Sequence, residues 1–215
     1  METLGIVGAG TMGRGIAQLA LQSGLRVVLN DADPSALEKS REAVRASLDK
    51  AADKKKITPE EAAAAQARLE TAHQLSDLAA CDFIIEAVFE DLDLKRRLFH
   101  QLGHLVPEPV ALATNTSSFL VSDVAKGCEK PSRVVGLHFF NPPVAMKLVE
   151  VIKHPETSDK AASSAWDLAL QLTREPVAVK DGPGFIVNRV VRSYYLVAQR
   201  LAGEGLGTIT GIDAA

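Results

Sequence analysis

One histidine and one glutamate stand out as a pair able to move a proton. His138 lies in the apolar run Val134 to Phe139, and Glu150 sits between two valines in Leu148-Val149-Glu150-Val151-Ile152. A carboxylate set in an apolar strand needs a partner if it is buried. If the two runs pair, Glu150 can hold one imidazole nitrogen and leave the other free to take up and return a proton. Such a neighbour also stabilises the positive charge that proton uptake creates. A purely structural histidine–carboxylate pair has the same spacing, so the pattern alone leaves both readings open. The other histidines, His73, His100, His104 and His154, lack this context and are expected at the surface or on helices.

A second constellation suits a dinucleotide. Gly8-x-Gly10-x-x-Gly13 directly follows the apolar run Leu4 to Val7 and opens a helical pattern, with Thr11 and Met12 in its first turn. The first glycine permits the tight turn, the second lets backbone approach a pyrophosphate, and the third allows helix to pack closely on strand. The free N–H groups of the helix start then face the phosphates. Asp31 ends the next apolar run, where an acidic side chain accepts hydrogen bonds from the adenine ribose hydroxyls. A 2′-phosphate there would meet like charge, and Ala32 and Asp33 follow rather than arginine, so NAD is expected over NADP. The opposing reading is a glycine turn with a capping aspartate.

These residues need elements to position them, and the pattern supplies strands and helices in alternation. Strand-like runs are Leu4 to Val7, Val27 to Leu29, Phe83 to Ile85, Val110 to Thr114 and Val134 to Phe139. Helical stretches follow Gly10, run from Pro34 to about Lys56, and run from about Asp91 to Leu105. The strands are continuously apolar, which predicts parallel strands covered by helices on both faces. After Pro142-Pro143, Lys147 to Ile152 and Val177 to Val179 are expected to extend the same sheet, separated by a helix from about Ser158 to Thr173. The expected class is therefore α/β, a Rossmann-type doubly wound and mainly parallel sheet. Gly182-Pro183-Gly184 then leads into a single helix with a glycine-rich end, expected to open a second, helical domain. The expected boundaries are 1–182 and 183–215.

Composition narrows the class. Of 215 residues, 47% are hydrophobic and 24% charged, enough apolar surface for a real core. A net charge of −3 gives no general attraction for polyanions, so nucleic acid is not an expected partner. Cys81 and Cys128 are too few and too far apart for a disulfide framework or a zinc site. Without a membrane-length apolar run or a basic-then-apolar leader, the expected address is the cytoplasm.

Several blocks, in order along almost the whole chain, carry a family resemblance. They are Gly8-Ala9-Gly10-x-Met12-Gly13, Asn115-Thr116-Ser117-Ser118, His138-Phe139-Phe140-Asn141-Pro142, Lys147-Leu148-Val149-Glu150-Val151 and Asp181-Gly182-Pro183-Gly184-Phe185-x-Val187-Asn188-Arg189. The chain thereby resembles the L-3-hydroxyacyl-CoA dehydrogenase family, with 3-hydroxybutyryl-CoA dehydrogenases among its members.

The resemblance implies reversible, NAD-dependent oxidation of L-3-hydroxyacyl-CoA to 3-oxoacyl-CoA, in fatty acid metabolism such as β-oxidation. It implies that His138 exchanges the proton of the 3-hydroxyl, that Glu150 orients His138, and that Ser117 and Asn188 hydrogen-bond the reacting oxygen. Asn115 and Asn141 are implied to support cofactor or active-site geometry. Glu90 and Lys95 match cofactor-contacting positions, although without the resemblance they would be a solvated helix start. Ser47 and Lys54 match coenzyme A contacts, where Lys54-Lys55-Lys56 would otherwise be a solvated charge run. The family also carries a helical domain that closes over substrate and forms most of a homodimer interface; this chain is expected to hold only its beginning. Two rival readings stand beside this one: a related hydroxy-acid dehydrogenase of the gulonate type, and an NAD(H)-binding module without turnover.

Overall fold

The computed structural model describes residues 1–214; residue 215, at the end of the expected second domain, lies outside the described residues. Eight strands form one sheet: β1 (Thr3–Val7), β2 (Arg26–Asn30), β3 (Leu69–Ala72), β4 (Phe83–Glu86), β5 (Ala111–Thr114), β6 (Val134–Phe139), β7 (Leu148–Lys153) and β8 (Glu175–Lys180). Their order is β3-β2-β1-β4-β5-β6-β7-β8. The first six are parallel; β7 runs antiparallel to β6, and β8 parallel to β7. The chain begins with β1 in the middle and winds outward both ways. This places the switch of strand order between β1 and β4, and the crevice beyond the carboxyl ends of those strands is where such sheets bind ligands.

The helices are α1 (Thr11–Gln22), α2 (Pro34–Asp53), α3 (Pro59–Ala67), α4 (Leu92–Leu105), α5 (Val121–Ala125), α6 (Asp159–Gln171), α7 (Val187–Gly203) and α8 (Ile209–Ala214). They cover both faces, and the continuously apolar strands are explained by that. In β4, Phe83 and Ile85 enter one core with α1, α2, α3 and α6, while Ile84 enters the other with α4 and α5. Each fully buried side chain of this size contributes roughly 1.5–3 kcal/mol over leaving it in water.

Several features were not anticipated, α5 among them. Leu69–Ala72 forms an edge strand whose two middle residues are exposed, giving no apolar run to detect. The glycine-rich end contains a second short helix, α8, so the expected single helix is corrected to two. α7 buries none of its residues: Val190 is 65% exposed and Tyr194 70%. No helix of the described residues is long and apolar enough to cross a membrane.

Candidate active site

The glycine loop leaves β1 at the crevice and is closely packed at Gly8 and Gly13. Gly8 has φ +105°, and a Cβ there would lie 2.6 Å from the Ala87 carbonyl oxygen. At Gly13 a Cβ would fall 1.8 Å from the Gly8 oxygen, so α1 can approach β1 only with glycine present. Gly10 differs: a Cβ there would meet nothing within 4 Å. Protein packing therefore does not require glycine at 10, whereas backbone approach by a ligand does. Gly10 makes no side-chain cap and no acidic residue occupies the first turn of α1, so its leading N–H groups are left for an anion.

Asp31, at the end of β2, braces this loop. Its Oδ2 accepts the Ala9 N–H at 2.8 Å and its Oδ1 the Asp33 N–H at 3.0 Å. The buried Ser40 hydroxyl, from α2, donates to the Ala9 carbonyl, a brace that sequence reading missed. The cleft beside them holds about 710 Å³, and Gly8, Gly10, Thr11, Met12 and Asp31 line it. So do His73, Leu75, Val88, Phe89 and Leu98, none of which carries a motif. The crevice thus offers open backbone at Gly10, uncapped donors and a carboxylate, a donor set that fits NAD.

His138 and Glu150 face each other across the antiparallel β6–β7 pair. His138 Nδ1 lies 2.7 Å from Glu150 Oε2, with the residues 5% and 1% exposed. An ionised carboxylate can only accept, so Nδ1 carries the hydrogen, and in the neutral imidazole Nε2 is the acceptor. Glu150 has a further duty: its Oε1 accepts the N–H groups of Ile186 at 2.9 Å and Val187 at 3.0 Å, where α7 begins. Burial pushes the Glu150 carboxyl up, but the His138 hydrogen bond and the two backbone donors outweigh it and hold it below its ordinary value.

The 115–118 loop follows β5 and comes beside the end of β6. Asn115 Oδ1 accepts the Phe139 N–H at 2.8 Å. Asn188, in the first turn of α7, brings Nδ2 to 3.5 Å from the Ser117 carbonyl oxygen, a long contact that nevertheless joins the two regions. Asn141 lies exposed just beyond β6, while Ser47 lies half-buried on α2 and the exposed Lys54 caps that helix's C-terminal end.

For Lys95 the reading as part of a solvated helix start is corrected, whereas the Glu90 side chain stays about a third exposed. Lys95 is 1% exposed, with Nζ 2.6 Å from Glu86 and 3.1 Å from Glu90. Neither residue lines the cleft. Glu90 Oε1 instead accepts the Thr116 hydroxyl at 2.6 Å and the Ser117 and Ser118 N–H groups at 2.8 and 3.1 Å. Burial raises the Glu90 carboxyl, but Thr116 and the Lys95 charge win and lower it. Glu86, wholly buried, also accepts the Thr114 hydroxyl at 2.7 Å and the Val88 N–H at 2.8 Å. Sequence reading missed Glu86, although a glutamate closing the run Phe83-Ile84-Ile85 was a signal. His154 is the other correction: it is 3% exposed, donating through Nε2 to the Pro131 carbonyl at 3.1 Å. The remaining three histidines are exposed, as expected.

Residues 3–182 match the family model described as 3-hydroxyacyl-CoA dehydrogenase, NAD binding domain. A probable 3-hydroxyacyl-CoA dehydrogenase of Caenorhabditis elegans is 40% identical over 100% of this chain and 74% of its own length. A 3-hydroxyadipyl-CoA dehydrogenase of Escherichia coli is 39% identical over 100% of this chain, which spans only 45% of it. The crystal structure of an (S)-3-hydroxybutyryl-CoA dehydrogenase from Ralstonia eutropha superposes with a TM-score of 0.94 at 41% identity, covering 96% of this chain and 73% of that one.

Proposed function

The chain belongs to the 3-hydroxyacyl-CoA dehydrogenase family and carries its NAD-binding domain, and from that premise we propose how its residues divide the reaction. His138 takes the proton of the substrate's 3-hydroxyl at Nε2 and returns it in the reverse direction. Glu150 keeps the imidazole in that tautomer and stabilises the charge that appears on it. Ser117 and Asn188 donate hydrogen bonds to the reacting oxygen as it gains carbonyl character. NAD, when bound, supplies the acceptor for the hydride that leaves C3. Asp31, Thr11, Met12 and the three glycines hold the dinucleotide, with Glu90, Lys95, Asn115 and Asn141 shaping the region beside it. The observation that carries this reading is the 2.7 Å contact between Nδ1 and Oε2 on two buried strands.

The substrate assignment, an L-3-hydroxyacyl-CoA, is supported by the names of the relatives. Ser47, on α2, and Lys54, which caps its C-terminal end, are proposed to meet coenzyme A. Residues 1–182 are proposed as the nucleotide-binding domain and 183–215 as the opening of a helical one. The end of the family match at residue 182 and the lack of buried residues on α7 support that division. The exposed apolar side chains of α7 are proposed to be covered in a homodimer through that domain. Two buried, unpaired thiols suit a reducing compartment and support a cytoplasmic address.

Turnover of NADH with acetoacetyl-CoA, compared with a free 3-keto acid, tests the assignment. A strong preference for the coenzyme A thioester is expected. Preference for the free acid would favour a gulonate-type enzyme, and NADH binding without turnover would favour a non-catalytic module.

A further inference from the structure

The turn joining β8 to α7 contains a backbone outlier that the proton-transfer scheme leaves unused. Phe185 has φ +49°, in the left-handed region that bulky residues rarely adopt. It is also buried, at 5% exposure. Glycine would sit there without strain, and an aliphatic side chain could fill a core without an aromatic ring. The ring therefore calls for a reason.

Its neighbour supplies one. The Phe185 ring centroid lies 5.6 Å from that of His138, with the planes inclined by 57°. Phe140 touches the same imidazole at 4.6 Å and 60°. The turn that presents Phe185 is pinned on both sides. Upstream, the Asp181 carboxylate accepts the N–H groups of Val121 and Ser122, both at 2.9 Å. Downstream, Glu150 accepts those of Ile186 and Val187. Inside the turn, the Phe185 N–H donates to the Gly182 carbonyl at 3.1 Å. Strained backbone persists only where its surroundings over-determine it, and it gathers at functional sites.

We propose that Phe185 is a positioning residue, pressed by this left-handed turn against His138 so that the imidazole keeps one plane. The hydrogen bond to Glu150 fixes where Nδ1 lies but leaves the ring free to swing about it. Phe140 packs on the imidazole as well, and Phe185 completes the enclosure, limiting that swing and keeping Nε2 aimed at the reacting oxygen. The inference rests on His138 being the proton-moving group.

The test uses the full chain with NADH and acetoacetyl-CoA. Phe185→Leu keeps apolar bulk and loses the ring; kcat is expected to fall roughly tenfold, with the NADH Kd unchanged. Phe185→Tyr keeps the ring and most of the activity. The NMR signals of the His138 ring, identified by their loss in His138→Gln, report geometry without needing turnover. In Phe185→Leu they should shift and broaden as the ring samples more than one orientation; Phe185→Met serves if Phe185→Leu does not fold. Because the turn is left-handed, Phe185→Gly should be more heat-stable than Phe185→Ala. Unchanged His138 signals and kcat in Phe185→Leu, or greater stability of the alanine variant, would overturn the proposal. Normal turnover by His138→Gln is a separate result, which sinks the role of His138 itself.

Discussion

Replacing Glu150 by glutamine separates its two duties. The carboxylate accepts from His138 through one oxygen and from the start of α7 through the other. Glutamine keeps an oxygen for the two backbone donors but turns an amide N–H₂ toward Nδ1. That group can only donate, so the imidazole must move its hydrogen to Nε2, where no proton can then be accepted. The expected loss in kcat is on the order of 10²–10⁴, the usual worth of a positioned base. Stability should fall by about 1.5–3 kcal/mol, for one charge-assisted hydrogen bond. Glu150→Ala loses all three bonds, so its cost should rise to about 3–5 kcal/mol. The folded-state pKa of Glu150 is lowered from 4.5, so its stabilising contribution is complete above the unfolded value and vanishes as pH falls through the folded one. Urea midpoints below pH 4.5 should therefore drop more gently for Glu150→Gln than for the unaltered chain. NADH consumption with acetoacetyl-CoA reads the catalytic arm. A kcat within about threefold of the unaltered chain, or equal stabilities for the two variants, would refute the reasoning.

Gly10→Ala and Gly13→Ala should fail in opposite ways. The first should fold normally and weaken NADH binding by about tenfold or more, 1.4 kcal/mol, because its Cβ intrudes only on the ligand's side. The second should lower the urea midpoint by about 1–3 kcal/mol of stability, the cost of overpacking. Lys95→Met should cost about 3–5 kcal/mol by leaving Glu86 buried without its cation; adding Glu86→Gln should recover part of that loss, and a simple sum of the two effects would contradict the pairing. Asp31→Ala should raise the Kd for NADH and narrow its advantage over NADPH, measured by fluorescence titration, since the carboxylate is proposed to meet the ribose and holds Ala9.

Much of this architecture was legible because burial on both faces writes itself into sequence as unbroken apolar runs. β1, β4 and β6 announced themselves in that way, and the glycine loop and Asp31 followed from their place at strand ends. β3 did not, because Leu69-Glu70-Thr71-Ala72 lies at the sheet edge with water beside it. The His138–Glu150 pairing was readable once two short runs flanked a loop that brings them antiparallel. The second hold of Glu150, on α7, was not, since its donors are backbone groups 36 and 37 residues away. Lys95 misled because it begins Lys95-Arg96-Arg97, which looks like a solvated face. Helical spacing held the correction: Lys95, Phe99 and Leu102 recur at i, i+4 and i+7 on the buried stripe of α4.

The central claim is that one imidazole, steadied by one carboxylate, exchanges the proton of the 3-oxygen. Steady-state turnover of His138→Gln at saturating NADH and acetoacetyl-CoA, beside calorimetric titration of NADH, tests it most directly. We expect kcat to fall by about 10²–10⁴ while NADH binds as before. Turnover at the unaltered rate would contradict the claim.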